Sequence, residues 1–333
     1  MVRELGPPVS ALQIDDNQCL IAGGWDGLLR KWDSEGDIVW TVQCSDRIES
    51  IMLVEEDIIV TSGLEITCVN NGAITWSHQL EGSADLLEFH GGEVVATSSV
   101  YDIEHGDFME SGIWKFSLTG ELQSVDRIDE KPWFICSGDS LVIGLGRPRC
   151  GALFNSNHKK LSTDSPVTCG IVTQKGVIFG HADGALSNEK GHNLSNFESG
   201  IDSLTCREDF FASALESGEL HLVNSDYNSV WKSQGDTISA HTIGFDNLHW
   251  CGRWNGQSGI LEVKDTSGSS ISVMKTTRPR VAYSRENRVV FGFENGEIML
   301  WDKSLFNRRK ESKTDVKIST DSKLAARLRS LRK

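Results

Sequence analysis

Apolar and polar residues alternate along most of this chain, and the alternation recurs in eight similar units. In each unit a short apolar run ends in a small residue, and a glycine and a second strand-like run follow it. The alternation has a period of two, which is typical of β-strands rather than helices. The eight apolar runs begin at Cys19, Ile58, Val94, Leu141, Val177, Phe210, Leu248 and Val289.

The glycine that follows each run gives the length of the unit. Successive glycines are separated by 36, 49, 39, 33, 34, 41 and 37 residues, with a mean of 38. The four-stranded blades of β-propellers repeat every 40 residues or so, about the same length. The spacing therefore predicts an all-β fold, a single β-propeller with eight blades. Seven blades remain an alternative, because the third strands of the fourth and fifth units, near 152–154 and 185–187, are short. The glycines, read as turn residues, are Gly27, Gly63, Gly112, Gly151, Gly184, Gly218, Gly259 and Gly296.

Each unit divides into four strand-like segments. In the first unit these lie near residues 9–14, 20–22, 28–32 and 38–42, and an Asp-Gly pair between the middle two has the composition of a tight hairpin turn. We expect the innermost strands to be the most apolar, because neighbouring blades cover them, and the outermost strands to be polar. The eighth unit lacks a clear fourth strand. Residues 2–5 are predicted to fill that edge and so to close the ring.

Length and composition fit one closed domain followed by a tail. With 333 residues and 38% apolar content the chain can bury a large core, and the propeller is predicted to span residues 1–302. No run approaches the ~18 apolar residues of a membrane-spanning helix, and the residues after Met1 lack the apolar stretch of a secretory signal. We therefore expect a cytoplasmic protein whose eight cysteines are buried free thiols.

Short motifs within the repeats resemble those of two propeller groups. Residues 32–33 and 301–302 are Trp-Asp pairs at the ends of third strands, and they resemble the dipeptide of WD-repeat proteins. Residues 36–40 (Gly-Asp-Ile-Val-Trp) and 72–76 (Gly-Ala-Ile-Thr-Trp) resemble the Gly-x-x-x-Trp element of quinoprotein-like repeats. The chain is thus similar to the WD-repeat and quinoprotein-like (PQQ-like) propeller superfamily, although the Gly-His that opens WD repeats is missing. The resemblance implies a rigid platform for other proteins.

The sequence gives little support for catalysis. It contains neither a Gly-x-Ser-x-Gly turn nor a phosphate-binding loop that ends in Gly-Lys-Ser/Thr. The nine histidines are scattered, and His249 and Cys251, which share one strand face, supply only two ligands, too few for a zinc site. We expect both to pack in the core, and we predict no catalytic residue, no metal site and no cofactor. A propeller enzyme remains the third alternative.

The longest spacing places an insertion, residues 99–111, in the third unit. Tyr101, Phe108 and Met109 are side chains of the kind that dominate protein interfaces, so we predict that they contact a partner. Two alternatives stay open. The aromatic residues could instead fold back on the blade, or Asp102, Glu104 and Asp107 could bind a cation.

The charge of the chain reverses near its end. The whole chain carries −14, whereas residues 303–333 hold eleven Lys or Arg against three acidic residues, a net of +8, so residues 1–302 carry −22. Beyond a polar, flexible linker at 310–322, three leucines share one face of a predicted amphipathic helix with basic residues around them. Its predicted partner-binding residues are Lys323, Leu324, Arg327, Leu328, Leu331 and Arg332. A solvated end, or docking on the acidic propeller itself, is the alternative.

These features together predict a non-catalytic scaffold that mediates protein–protein interactions and uses its tail as a tether. The main alternative is an adaptor that contacts nucleic acid or an anionic membrane through the basic tail.

Overall fold

Eight four-stranded antiparallel sheets follow one another along the chain, as the glycine spacing predicts. The computed structural model describes residues 1–104, 106–208 and 210–308. The chain begins with strand β1 (Val2–Glu4) and then forms the blades in sequence order. Blade 1 contains β2 (Val9–Ile14), β3 (Leu20–Gly24), β4 (Leu28–Trp32) and β5 (Ile38–Gln43), and blade 2 contains β6 (Ile48–Val54), β7 (Asp57–Ser62), β8 (Glu65–Asn70) and β9 (Ala73–Gln79). Blade 3 contains β10 (Ser83–His90), β11 (Glu93–Asp102), β12 (Asp107–Phe116) and β13 (Leu122–Ile128). Blade 4 contains β14 (Pro132–Ser137), β15 (Leu141–Leu145), β16 (Ala152–Phe154) and β17 (Asn157–Lys159).

Blades 5 to 8 repeat the same meander with short connections. A 3₁₀ turn, Phe245–Asn247, lies in blade 7, and residues 303–308 are helical. Neither of these segments, in the part of the chain that the structure describes, is long and apolar enough to cross a membrane. Blade 5 contains β18 (Val167–Thr173), β19 (Gly176–His181), β20 (Ala185–Asn188) and β21 (Asn193–Asn196), and blade 6 contains β22 (Ile201–Arg207), β23 (Phe210–Leu215), β24 (Leu220–Asn224) and β25 (Ser229–Ser233). Blade 7 contains β26 (Thr237–Ile243), β27 (His249–Trp254), β28 (Gly259–Lys264) and β29 (Ser270–Thr276). Blade 8 contains β30 (Pro279–Arg285), β31 (Arg288–Phe293) and β32 (Glu297–Asp302).

The N-terminal strand completes blade 8, as the missing fourth strand of that unit predicts. Strand β1 pairs antiparallel with β32, with Val2 opposite Met299 and Glu4 opposite Glu297. The innermost strand of blade 8, β30, packs beside β2 of blade 1. Both ends of the propeller therefore meet in one blade, and the edge of β32 is paired rather than exposed.

The core lies between the blades. Each of the eight apolar clusters among the described residues joins two neighbouring blades, and the cluster between blades 8 and 1 closes the ring. All eight cysteines are free thiols, as expected, and five of them are buried. The other three, Cys19, Cys169 and Cys206, are only partly buried.

The small residue that ends each apolar run has a packing role. In five blades it is a glycine of the second strand, and a Cβ added there would lie only 2.4–2.8 Å from a side chain of the next blade's innermost strand. The contact is therefore too close for any side chain. The pairs are Gly23 with Ile48, Gly144 with Val167, Gly180 with Ile201, Gly252 with Pro279, and Gly292 with Val9.

Burial within a blade differs from the expectation. The second strands are the most buried, with β3 and β15 buried at every position, whereas the innermost strands β22 and β30 have one buried residue each. The prediction for the innermost strands was wrong because one edge of each faces the central channel. The outermost strands are polar and exposed, as predicted, with β9 exposed at five of its seven positions.

The predicted turn glycines are only partly confirmed. Gly27, Gly184 and Gly296 occupy equivalent hairpin turns with φ of 84° to 85°, a region that favours glycine. Gly112, however, lies inside strand β12, because the insertion extends β11 and β12 to ten residues each and moves the turn beyond Asp102. Gly259 is likewise the first residue of strand β28 rather than a turn residue.

Candidate interaction surface

The meander topology sorts the loops onto two faces of the ring. The connections between blades and the connections between second and third strands lie on one face, which we call the top face. The connections between first and second strands, and between third and fourth strands, lie on the bottom face. The insertion at 99–111 therefore projects from the top face.

An irregularity repeated in every innermost strand shapes the top of the central channel. Just after the first buried residue of each of these strands, the pairing register with the second strand shifts. A bulge of this kind redirects a side chain, and here it does so at eight equivalent points around the channel mouth. The residues at the shift are Ser10, Glu49, Asp85, Trp133, Thr168, Asp202, Ser239 and Arg280.

Trp25 is held beside this mouth by two arginines. The guanidinium carbons of Arg47 and Arg280 lie 4.6 and 4.4 Å from the centroid of its ring. Arg280 also forms a bidentate ion pair with Glu294, and Arg47 pairs with Glu49 at 2.9 Å. The indole is nevertheless 36% exposed, so it is a fixed aromatic surface open to solvent.

A second aromatic group joins the insertion to blade 4. The ring centroids of Tyr101 and Phe108 are 5.1 Å apart, and those of Phe108 and Trp133 are 6.2 Å apart. The ammonium of Lys131 lies 3.8 Å from the centroid of Phe108 and 4.8 Å from that of Trp133. Tyr101 and Trp133 remain 52% and 46% exposed. Phe108 thus folds back toward the channel mouth, whereas Tyr101 stays open to solvent.

Three carboxylates at the channel mouth have raised pKa values. Burial raises the pKa of Asp85, while Lys131, whose ammonium lies 3.5 Å from the Asp85 carboxylate, opposes that rise. Burial also raises the pKa of Glu49, and Arg47 acts in the opposite direction. For Asp202 the carboxylate of Glu216 adds to the effect of burial, and both raise its pKa. Among the described residues no group of three or more His, Cys, Asp or Glu is placed to hold a metal ion.

Exposed apolar side chains concentrate on the top face of blades 1 to 4. We call this set the top-face patch. Most of the other large exposed apolar residues lie instead on outermost strands, scattered around the rim of the ring. The top-face patch consists of Trp25, Leu64, Val100, Tyr101, Ile103, Met109 and Trp133.

Two of the three insertion residues singled out from the sequence, Tyr101 and Met109, belong to this patch, and Phe108 supports it from below. Sequence reasoning missed Trp25, Leu64 and Trp133. Trp133 is the second residue of the innermost strand β14, a position that lines the channel mouth, but that strand was not assigned from the sequence. Nothing in the local sequence places Trp25 or Leu64 on the same face of the ring as the insertion.

The pair His249 and Cys251 is buried between blades 6 and 7, as expected for core residues. His249 Nε2 lies 3.2 Å from Nδ1 of His241, whose own Nε2 is 2.8 Å from the Ser203 hydroxyl. Burial lowers the pKa of both histidines, to about 4 for His241. The two imidazoles are therefore neutral at pH 7.

The six predicted partner-binding residues of the tail, between 323 and 332, lie outside the described residues. The start of the tail does not. Phe306 packs against Phe245 and Trp250 with ring centroids 5.6 and 5.2 Å apart, and Lys303 forms an ion pair with Asp246. Since these contacts follow the end of β32, they hold residues 303–308 on the bottom face, opposite the top-face patch.

Comparisons with known proteins define the fold. No protein-family model and no curated protein matches the sequence. Among solved structures, the chain is similar to the computationally designed Ika8 protein, with 15% identity, a TM-score of 0.71, and coverage of 90% of this chain and 98% of that one. BamB from Moraxella catarrhalis gives 14% identity, a TM-score of 0.71 and coverages of 91% and 96%. Sqt1 from Saccharomyces cerevisiae gives 12% identity, a TM-score of 0.70, and coverage of 90% of this chain and 97% of that one. At these identities the likeness establishes the fold alone, and that fold is a β-propeller.

Proposed function

We propose that this chain is a non-catalytic, cytoplasmic scaffold whose top-face patch binds another protein. One observation carries the proposal: the exposed large apolar side chains on the top face come from four neighbouring blades, whereas most of the others lie singly on outer strands. Contiguous apolar patches that are rimmed by polar residues are typical of interaction sites, whereas scattered exposed apolar residues are not.

The character of the patch supports a protein partner. Tryptophan, tyrosine and arginine are the residues that most often dominate binding energy at interfaces. Trp25 is held in place between Arg47 and Arg280, and Trp133 by its contacts with Phe108 and Lys131. Because these rings are already ordered, a partner would lose less conformational entropy in binding to them.

The proposal is tested by affinity capture from native extract with two matched variants. The patch variant is Tyr101→Ser/Met109→Ser/Trp133→Ser, and the control is Val39→Ser/Ile74→Ser/Val273→Ser. The three patch side chains are 52%, 51% and 46% exposed, and the three controls are 53%, 48% and 61% exposed. We expect the patch variant to lose a partner that the wild type and the control retain, with all three equally folded by circular dichroism. Retention of the same proteins by the patch variant would refute the proposal.

The basic tail is proposed as a second contact, because its +8 charge follows a propeller of −22 and begins on the face opposite the patch. Truncation after Arg308 keeps the Phe306 contact and removes the predicted leucine stripe. Loss of a nuclease-resistant partner on truncation would support a protein tether. Loss on nuclease treatment would favour the nucleic-acid adaptor, and no loss would reject a tail contact.

A further inference from the structure

We propose that the partner segment recognised by the top-face patch is basic, an arginine- or lysine-rich stretch whose cations stack on Tyr101 and Trp133 and pair with the surrounding carboxylates. This inference rests on the proposed function and adds the chemical class of the partner. It follows from three features of the described residues: a cation already bound within the aromatic group, an excess of acidic residues around it, and the charge of the competing occupants.

Lys131 shows that this aromatic group accommodates an ammonium ion. Its Nζ atom lies over the Phe108 ring at 3.8 Å and the Trp133 ring at 4.8 Å, with the Asp85 carboxylate 3.5 Å away. Only 13% of the Lys131 side chain is exposed. Ring faces and a shielded carboxylate together are the elements of a cation-binding site, and partial desolvation strengthens both contributions.

Further ring surface is open beside this site. Tyr101 contacts Phe108 with an interplanar angle of 68°, so one ring presents its edge to the other. About half of the Tyr101 and Trp133 surfaces remains exposed, at 52% and 46%. A guanidinium or ammonium from another chain can therefore stack on these rings without displacing the packing beneath them.

The surrounding loops carry excess negative charge. The top-face segments of blades 1 to 4 hold twelve acidic and five basic residues. Four of the five basic residues are paired within the group: Arg47 with Glu49, Arg127 with Glu81 and Glu110, Lys131 with Asp85, and Arg149 with Glu130. Two of the twelve acidic residues, Glu104 and Asp107, are exposed at the tip of the insertion, close to Tyr101 in the sequence. The top-face segments included in this count are residues 25–27, 44–49, 63–65, 80–85, 100–110, 127–133 and 146–151.

Charge argues against acidic occupants, while the chain's own basic tail, +8 over residues 303–333, begins on the opposite face. A second copy of the propeller carries the same −22 over residues 1–302, and an acidic peptide or an anionic membrane would meet like charge. The bottom face is also acidic, so charge alone does not select a face. The aromatic rings select the top face, and the charge selects the class of partner.

The test uses fluorescein-labelled peptides and fluorescence anisotropy with the full chain. Three peptides share one Gly/Ser/Leu framework and carry four arginines, four glutamines or four glutamates. We expect the arginine peptide to bind at least ~10-fold more tightly than the glutamine peptide, and the glutamate peptide to bind least. Raising the salt concentration from about 50 to about 300 mM should weaken binding of the arginine peptide at least several-fold, because the ion pairs between its arginines and the carboxylates of the site are partly exposed.

Variants separate this site from general attraction to an acidic protein. Two double variants should each weaken binding of the arginine peptide ~5-fold or more. They are Glu104→Gln/Asp107→Asn and Tyr101→Ser/Trp133→Ser. Glu55→Gln/Glu56→Gln removes two exposed carboxylates from the bottom face and should change the affinity less than ~2-fold. Lys131→Met removes the competing positive charge beside Phe108 and Trp133, leaves the Asp85 carboxylate without its ion-pair partner, and should strengthen binding.

Equal affinity for the arginine and glutamine peptides would overturn the inference, as would equal weakening by the top-face and bottom-face carboxylate variants. If those results accompanied loss of the natural partner from the patch variant in the capture experiment, the scaffold proposal would stand and only the basic class would fall. If capture were unaffected by the patch variant, the scaffold proposal itself would fail.

Discussion

Replacing Gly144 with alanine should destabilise the propeller, although alanine is intrinsically the better residue in a strand. Gly144 lies in β15 of blade 4, and a Cβ added there would lie 2.6 Å from Cγ1 of Val167 and 3.2 Å from its Cβ. Carbon atoms pack best at 3.5–4.0 Å or thereabouts, so the new methyl would be about 1 Å too close. Val167 is fully buried and belongs to the cluster between blades 4 and 5, so it has no free space to move into.

The expected size of the effect follows from overpacking a dense core, which costs about 1–3 kcal/mol. Val167→Ala alone should cost about 2–3 kcal/mol, because it removes two buried methyl groups and leaves a small cavity. The double variant should be about as stable as Val167→Ala alone, since the new methyl enters the vacated space. This predicts a favourable coupling of about 1–3 kcal/mol between the two sites, equal to the cost of Gly144→Ala alone.

The assay is urea denaturation followed by circular dichroism and tryptophan fluorescence, whose transitions must coincide for the free energies to be compared. Gly138→Ala is the matched control, because a Cβ at that position in the same blade meets nothing within 4 Å. We expect the control to change stability by less than about 0.5 kcal/mol. A Gly144→Ala variant as stable as this control, or a strictly additive double variant, would refute the assignment of the small residue to contact between blades.

Three further predictions concern pH, the tail and ring closure. Since burial lowers the pKa of His241 to about 4, the unfolded chain binds its proton first, and His241 alone should lower stability by about 2–3 kcal/mol as pH drops from ~6.5 to ~4.5, with His249 adding to the fall; His241→Asn should reduce this dependence by about that amount in denaturation curves measured at several pH values. Phe306→Ala should lower the free energy of unfolding by about 1–2 kcal/mol, because Phe306 packs on Trp250, and an unchanged urea midpoint would contradict that contact. Deletion of Val2–Glu4 should expose the edge of β32 and promote association, seen as a rising apparent mass in light scattering; a stable monomer of unchanged midpoint would argue against closure by β1.

Much of the fold could be predicted from the sequence, because the signals are local. A period of two and turn glycines specify strands and hairpins residue by residue, and the mean spacing of 38 specifies four strands per blade. Even the closing strand was predictable, since one unit lacked a fourth strand and residues 2–5 had no other place. The short third strands Ala152–Phe154 and Ala185–Asn188, which left seven blades as an alternative, each form a complete blade with their neighbours.

The candidate surface was only partly predictable, because contacts between blades create it. Tyr101, Phe108 and Met109 stood out as an insertion, but Trp25 and Trp133 became part of the same face only when the blades closed into a ring.

The sequence by itself therefore determined the strands and most of the turns, since these depend on residues near one another in the chain. It also favoured eight blades and identified residues 2–5 as the closing segment, because one repeat lacked a fourth strand. Only the tertiary structure decided which strand of each blade is buried, why glycine ends the apolar runs, and which distant side chains share the top face. These properties depend on the distance between neighbouring blades and on the register shift at the channel mouth, and neither is encoded within a single repeat.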